Sequence, residues 1–169
     1  MKPPLIVTAR APHSFILVFA ALLAFFGSAT PSTAFEGLDG FVVHKTAHDY
    51  PTLVERLNAA VKAEGMLLVT RASATAGAKA QGITIPGNMI VGVYRNDFAR
   101  RMLAASIPAG IEAPIRYYIT ENDDGTATLS YRTPTAVFTP YFGDGGAPLQ
   151  SLAAELDTVF DTIAKRAIQ

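Results

Sequence analysis

The 169-residue sequence contains no cysteine. Thiol nucleophiles, disulfide staples and attachment through a lipidated cysteine are therefore excluded. It also lacks an excess of either charge sign, with 14 basic and 14 acidic residues. A nucleic-acid binder carries a clustered basic excess, because neutralising phosphates drives that affinity, and no such cluster is present. A third absence is a long apolar run. Crossing a bilayer takes roughly 20 apolar residues, and the stretch from Phe15 to Phe26 stops well short, at Gly27 and Ser28.

That stretch has a different use. Lys2 and Arg10 precede it, no charged side chain interrupts it, and the small residues Ser32, Thr33 and Ala34 follow it. This is the layout of a secretory signal peptide over residues 1–34, with cleavage expected after Ala34 or, as a second choice, after Ala29. An uncleaved segment would instead hold the domain at the outer face of the membrane. Either way the protein is expected to be exported, to the periplasm or the extracellular space. Removing Lys2 and Arg10 leaves 12 basic against 14 acidic residues. Residues 35–169 suffice for one domain that needs no covalent staple.

Periodicity predicts how that domain is built. Residues 41–45 combine aromatic and β-branched side chains and read as a first strand. Asp49 is placed to cap a helix with Pro51 in its first turn and Leu53, Leu57, Ala60 and Val61 on one face. Gly65 ends that helix, and residues 66–69 form a second strand. Residues 71–87 read as a loop with a short helical turn, and 89–94 as a third strand. Asn96 or Asp97 is expected to cap a short helix that turns Phe98, Met102 and Leu103 inward and leaves Arg100 and Arg101 in water. In a fourth strand Ile115, Tyr117 and Ile119 alternate with Arg116, Tyr118 and Thr120.

Residues 122–125, Asn-Asp-Asp-Gly, predict a tight antiparallel turn into a fifth strand, where Ala127, Leu129 and Tyr131 alternate with Thr128, Ser130 and Arg132. Pro134, Pro140 and a glycine-rich loop between Thr133 and Pro148 argue against regular structure there. From Pro148 a last helix is expected, with Leu149, Leu152, Leu156, Val159, Phe160 and Ile163 in one stripe. No internal repeat is visible. The sum is an α+β, two-layer sandwich: a mostly antiparallel sheet of about five strands, two long helices on one face and one short extra helix.

Motifs for chemistry are sparse. His44 and His48 are four apart, but one is expected on a strand and the other in a turn, so they and Asp49 do not converge as metal ligands and no metal is expected. No G-x-S-x-G elbow accompanies the serines. Residues 76–79 and 143–146 lack the spacing of a phosphate-binding loop, so no nucleotide cofactor is implied.

Read in order, Val69-Thr-Arg71, Thr75-Ala-Gly-Ala-Lys79 with Gly82, Glu64-Gly65, Tyr94-Arg-Asn96, Pro108, Gly110-Ile-Glu-Ala-Pro114, Asp124-Gly125, Leu129-Ser-Tyr131 and Pro134 resemble the domain of unknown function 302 family over about Phe41 to Ala167. The resemblance implies a compact α+β fold with a TATA-binding-protein-like arrangement of sheet and helices, and a tendency to form homodimers. It implies no activity. Members often carry Asp-His before the Ala-Gly-Ala-Lys segment, where this chain has Ser73 and Ala74, so a role for that histidine is absent. Of a usual Gly-Asn-Pro step only Asn96 is kept, within Arg95-Asn96-Asp97.

Three readings follow. The first is a non-catalytic domain that binds a small ligand or a protein partner, with Arg71, Lys79, Asn96, Glu112 and Arg132 as candidate binding residues at strand ends. Convergence on one mouth would suit a small anionic ligand, since guanidinium groups grip carboxylates and phosphates with paired hydrogen bonds. Separate surface and turn positions are the alternative for these five. The second is an acid/base enzyme using Glu112, Tyr131 or His44. The third is a structural homodimer pairing through a strand edge or the face that carries Tyr117 or Tyr118. Nucleic acid is not an expected partner, and the membrane is one only through the signal segment.

Overall fold

The computed structural model describes residues 37–169. The expected signal segment and its cleavage site lie outside the described residues. Five strands, β1 (Phe41–Asp49), β2 (Leu67–Ala72), β3 (Asn88–Tyr94), β4 (Ile115–Glu121) and β5 (Thr126–Arg132), form one sheet in the order β1-β5-β4-β3-β2. Every neighbouring pair is antiparallel. The helices are α1 (Tyr50–Ala63), α2 (Ala74–Ala80), α3 (Asn96–Ala105), α4 (Pro134–Phe138) and α5 (Phe142–Ile168). Two 3₁₀ turns lie at Pro108–Glu112 and Thr139–Tyr141. Among the described residues no helix is long and apolar enough to cross a membrane.

Alternation along the strands decides which face is covered. Ile115, Tyr117 and Ile119 of β4 and Ala127, Leu129 and Tyr131 of β5 are buried under Leu53, Leu57 and Val61 of α1 and Leu152, Leu156, Phe160 and Ile163 of α5. Each large side chain removed from water there contributes ~1.5–3 kcal/mol before chain entropy is charged against it. The centre is aromatic: the Tyr117 ring lies 4.8 Å from Phe160 and 5.2 Å from Tyr131. The two long helices are also tied at their ends. Arg56 Nε donates to the Ala167 carbonyl at 2.8 Å, and Arg166 reaches Glu64 at 2.7 Å, placing cations where the last carbonyls of α5 need donors.

Local signals held where they were self-contained. Asp49 Oδ1 accepts from Thr52 N at 2.9 Å and caps α1, and Gly65 leaves that helix with φ of 67°. The β4–β5 turn closes with Asn122 N donating to Thr126 O at 2.8 Å.

Elsewhere the structure corrects the expectation. β1 continues past Lys45 to Asp49 through a bulge, so His48 is a strand residue rather than a turn residue. Thr46 Oγ1 donating to Ala127 O at 2.7 Å holds that extension to β5. Residues 74–80 form a full helix, because the Ser73 hydroxyl accepts from Ala76 N at 3.2 Å. At α3 the capping position is Arg95, which uses Nε to hold Asp97 at 2.7 Å, and Leu103 faces outward at 46% exposure.

The largest correction concerns residues 133–148, which are helical. Thr133 caps α4, Pro134 occupies its first turn, and Pro134, Val137 and Phe138 are buried. Asp157 of α5 accepts from Thr135 N at 2.9 Å and so supplies a second cap from far along the chain. The helical path of α5 breaks once, at Gly146 with φ of 54°, and resumes by Pro148, the position from which the last helix was expected.

Candidate functional site on the open face of the sheet

Among the described residues α1 and α5 pack on one face of the sheet, and the opposite face presents the other set of alternating side chains. By register it carries Phe41, Val43 and Lys45 from β1, Thr128, Ser130 and Arg132 from β5, Arg116, Tyr118 and Thr120 from β4, and Asn88, Ile90, Gly92 and Tyr94 from β3. Thr70, Ala72 and Leu67 of β2 complete it. By the same register its strands contribute three cations, Lys45, Arg116 and Arg132, and one carboxylate, Asp49, which pairs with Thr126 at the opposite end of β1 from Phe41 and Arg132.

Two of those cations are neighbours. Tyr117 pairs with Tyr131 and Tyr118 with Ser130, so one further step along the same ladder sets Arg116 beside Arg132. They border a half-open cavity of about 180 Å³ that is also lined by Phe41, Ile90, Glu112, Tyr118, Ser130 and Val137. Arg132 spends one donor, Nη2, on the Ala136 carbonyl at 3.0 Å, and its other N–H groups have no hydrogen-bond partner among the described residues. Among the described residues Arg116 has no ion-pair partner. Ser130 is 2% exposed, with its hydroxyl only 3.4 Å from the Tyr118 carbonyl, a long bond that a better acceptor would displace.

Glu112 arrives from the 3₁₀ turn before β4. Its Oε1 accepts from the Tyr141 hydroxyl at 2.8 Å, and that hydrogen bond, aided by burial and the negative charge itself, holds the Tyr141 phenol above its ordinary pKa. Neither arginine forms an ion pair with Glu112.

Of the five binding residues expected from sequence, the structure brings Glu112 and Arg132 to this cavity. The other three lie elsewhere. Arg71 is on the helix side of edge strand β2, donating to Asn58 Oδ1 at 2.8 Å. Lys79 is an exposed residue of α2, and Asn96 opens α3 with its amide 3.5 Å from the Tyr94 hydroxyl. Sequence reasoning missed Arg116, although the signal was available. Counting back from the Asn122–Gly125 turn pairs 116 with 132, and alternation puts both on the face away from Ile115 and Tyr117.

The acid/base candidates do not assemble. The His44 ring stacks on Tyr131 at 6.4 Å, and its buried Nε2 has no hydrogen-bond partner among the described residues. Burial lowers the His44 pKa, offset in part by Asp161. Tyr131 borders the cavity through its strand, but its ring lies on the helix side against Tyr117 and Phe160. Burial first, then Asp161 and Asp157, push its phenol up to about 12. No hydrogen bond joins any two of Glu112, Tyr131 and His44, and a group titrating so far from neutrality makes a poor proton shuttle. Among the described residues no three of His, Asp and Glu gather closely enough to share an ion.

The fold and the cavity define a two-layer α+β domain with one open, basic sheet face. Residues 42–166 match the model of the family described as Domain of unknown function DUF302, and the chain belongs to that family. A crystal structure of an uncharacterized conserved DUF302 protein from Bacillus stearothermophilus has the same fold, with a TM-score of 0.67 at 18% identity. The match covers 76% of this chain and 98% of that one. None of the curated proteins matches.

Proposed function

We propose that this is an exported, non-catalytic domain that binds a small organic anion between Arg116 and Arg132. The observation that carries the reading is the side-by-side placement of these two residues at one cavity, neither with an ion-pair partner among the described residues. Like charges directly opposite one another on a sheet are destabilising, and a carboxylate or phosphate relieves that cost while accepting two parallel hydrogen bonds from each fork. Export rests on the charged start, short apolar run and small-residue site of residues 1–34. The test is thermal unfolding against a panel of small carboxylates and phosphates. Ligand at ~100 times its dissociation constant adds ~2.7 kcal/mol, a shift easily read on a domain of this size. A panel in which nothing raises the midpoint would remove the reading.

Pairing of two copies is a second reading, favoured by one observation: β2 is an open sheet edge with Leu67 59% and Val69 46% exposed. A monomer in sedimentation at high concentration would exclude it.

A further inference from the structure

A carboxylate that lines the same cavity as the two arginines narrows the ligand class. Glu112 is held by Tyr141 through Oε1 and forms no ion pair with the arginines that border the same space. Its second oxygen, Oε2, has no hydrogen-bond partner among the described residues. A ligand that is only an anion offers Glu112 no donor, and a dianion would meet it as a like charge. A ligand that combines an anionic group with a hydrogen-bond donor suits both the arginines and Glu112. In the same cavity Phe41, Ile90 and Val137 offer apolar contact to a short carbon skeleton. The size agrees, since a cavity of about 180 Å³ holds on the order of six waters at ~30 Å³ each.

Resting on the anion-site reading above, we infer that the cavity selects small hydroxy or amino acids: the carboxylate lies on Arg116 and Arg132, and the hydroxyl or ammonium group donates to Glu112.

The experiment compares propionate, lactate, alanine and succinate by calorimetry on the purified protein, with Glu112→Gln and Arg116→Gln variants checked for cooperative unfolding. Lactate or alanine is expected to bind at least about tenfold more tightly than propionate, a difference of ~1.4 kcal/mol. Glu112→Gln should collapse that preference, and Arg116→Gln should weaken every ligand. Propionate or succinate binding as tightly as lactate and alanine, or a preference that survives Glu112→Gln, overturns this inference and leaves anion binding standing. If none of the four binds and inorganic phosphate does not either, anion binding itself falls.

Discussion

The Tyr117 hydroxyl donates to the main-chain carbonyl of Phe160 at 2.9 Å, and the two rings stack within 15° of parallel. One residue of the central strand thereby fixes both the height and the rotation of α5 over the sheet. Burial drives the Tyr117 phenol well above its ordinary pKa, followed by Tyr131 and Asp161, because an ionised oxygen there would lose water and gain nothing.

That placement predicts alkaline instability. Tyr117 and Tyr131 both have folded pKa values raised above the unfolded value of 10.0, in the second case to about 12. The stability they contribute is fully present below pH 10 and is lost as pH climbs from there through about 12. Urea midpoints should fall steeply over that window, with tyrosinate absorbance appearing in step with unfolding. Tyr117→Phe should cost ~1 kcal/mol at neutral pH, from the lost hydrogen bond, and should flatten the alkaline fall. A midpoint that ignores pH across this window would contradict the burial argument.

A second titration works on the acid side. Burial lowers the folded pKa of His44 below 6.5, Asp161 opposes the shift and Lys165 adds to it, while Tyr131 covers the ring from β5. The depressed value means that stability is present above pH 6.5 and is lost as pH falls through the folded pKa. Protonation would also place a charged donor at Nε2, which has no hydrogen-bond partner among the described residues. His44→Phe keeps a ring against Tyr131 and removes the titration. Its unfolding midpoint should vary less than that of the parent over mildly acidic pH, and parallel curves for the two proteins would disprove the assignment.

Which features were legible in the sequence follows from how far apart the interacting groups are. Asp49 caps a helix three residues away and Gly125 turns a hairpin over four residues, so composition alone exposed both. α4 was not legible because part of its cap is Asp157, 22 residues on, and its one proline, Pro134, reads as a breaker although it sits in the first turn. The same holds at the candidate site. Arg132 and Arg116 follow from strand alternation and turn register, which are local. Glu112 meets Tyr141 across 29 residues, a pairing that only the packed fold creates. Arg71, Lys79 and Asn96 stood out as polar residues near strand ends, but the sequence pattern does not say which face or edge each end serves.

Glycines on the two layers should respond in opposite directions. A Cβ on Gly92 would strike Thr70 Oγ1 and lie 2.8 Å from Pro114 Cγ, the one on a short side chain of β2 and the other in a proline ring that cannot retreat far. Gly92→Ala should therefore destabilise by ~1–3 kcal/mol. Gly77 sits inside α2 with nothing within 4 Å of the same position, so Gly77→Ala should stabilise by ~0.5–1 kcal/mol through helix propensity. Calorimetric melts of the two variants check the contrast, and a Gly92→Ala protein as stable as the parent would mean that β2 and β4 flank this position less closely than described.

The arginine pair carries a prediction that needs no ligand. If Arg116 and Arg132 repel one another on adjacent strands, salt should raise the melting temperature of the free protein slightly, since screening at ~0.15 M ionic strength reaches ~8 Å. Arg116→Gln should match or exceed the stability of the parent by a few tenths of a kcal/mol, because it removes one member of a like-charged pair and breaks no ion pair among the described residues. The gain should shrink as salt is added. The same substitution should erase any stabilisation by small carboxylates, which separates a residue kept for binding from one kept for folding. Loss of 1 kcal/mol or more from Arg116→Gln, roughly the scale of a structural hydrogen bond, would show that this guanidinium supports the fold and is not held in reserve for an anion.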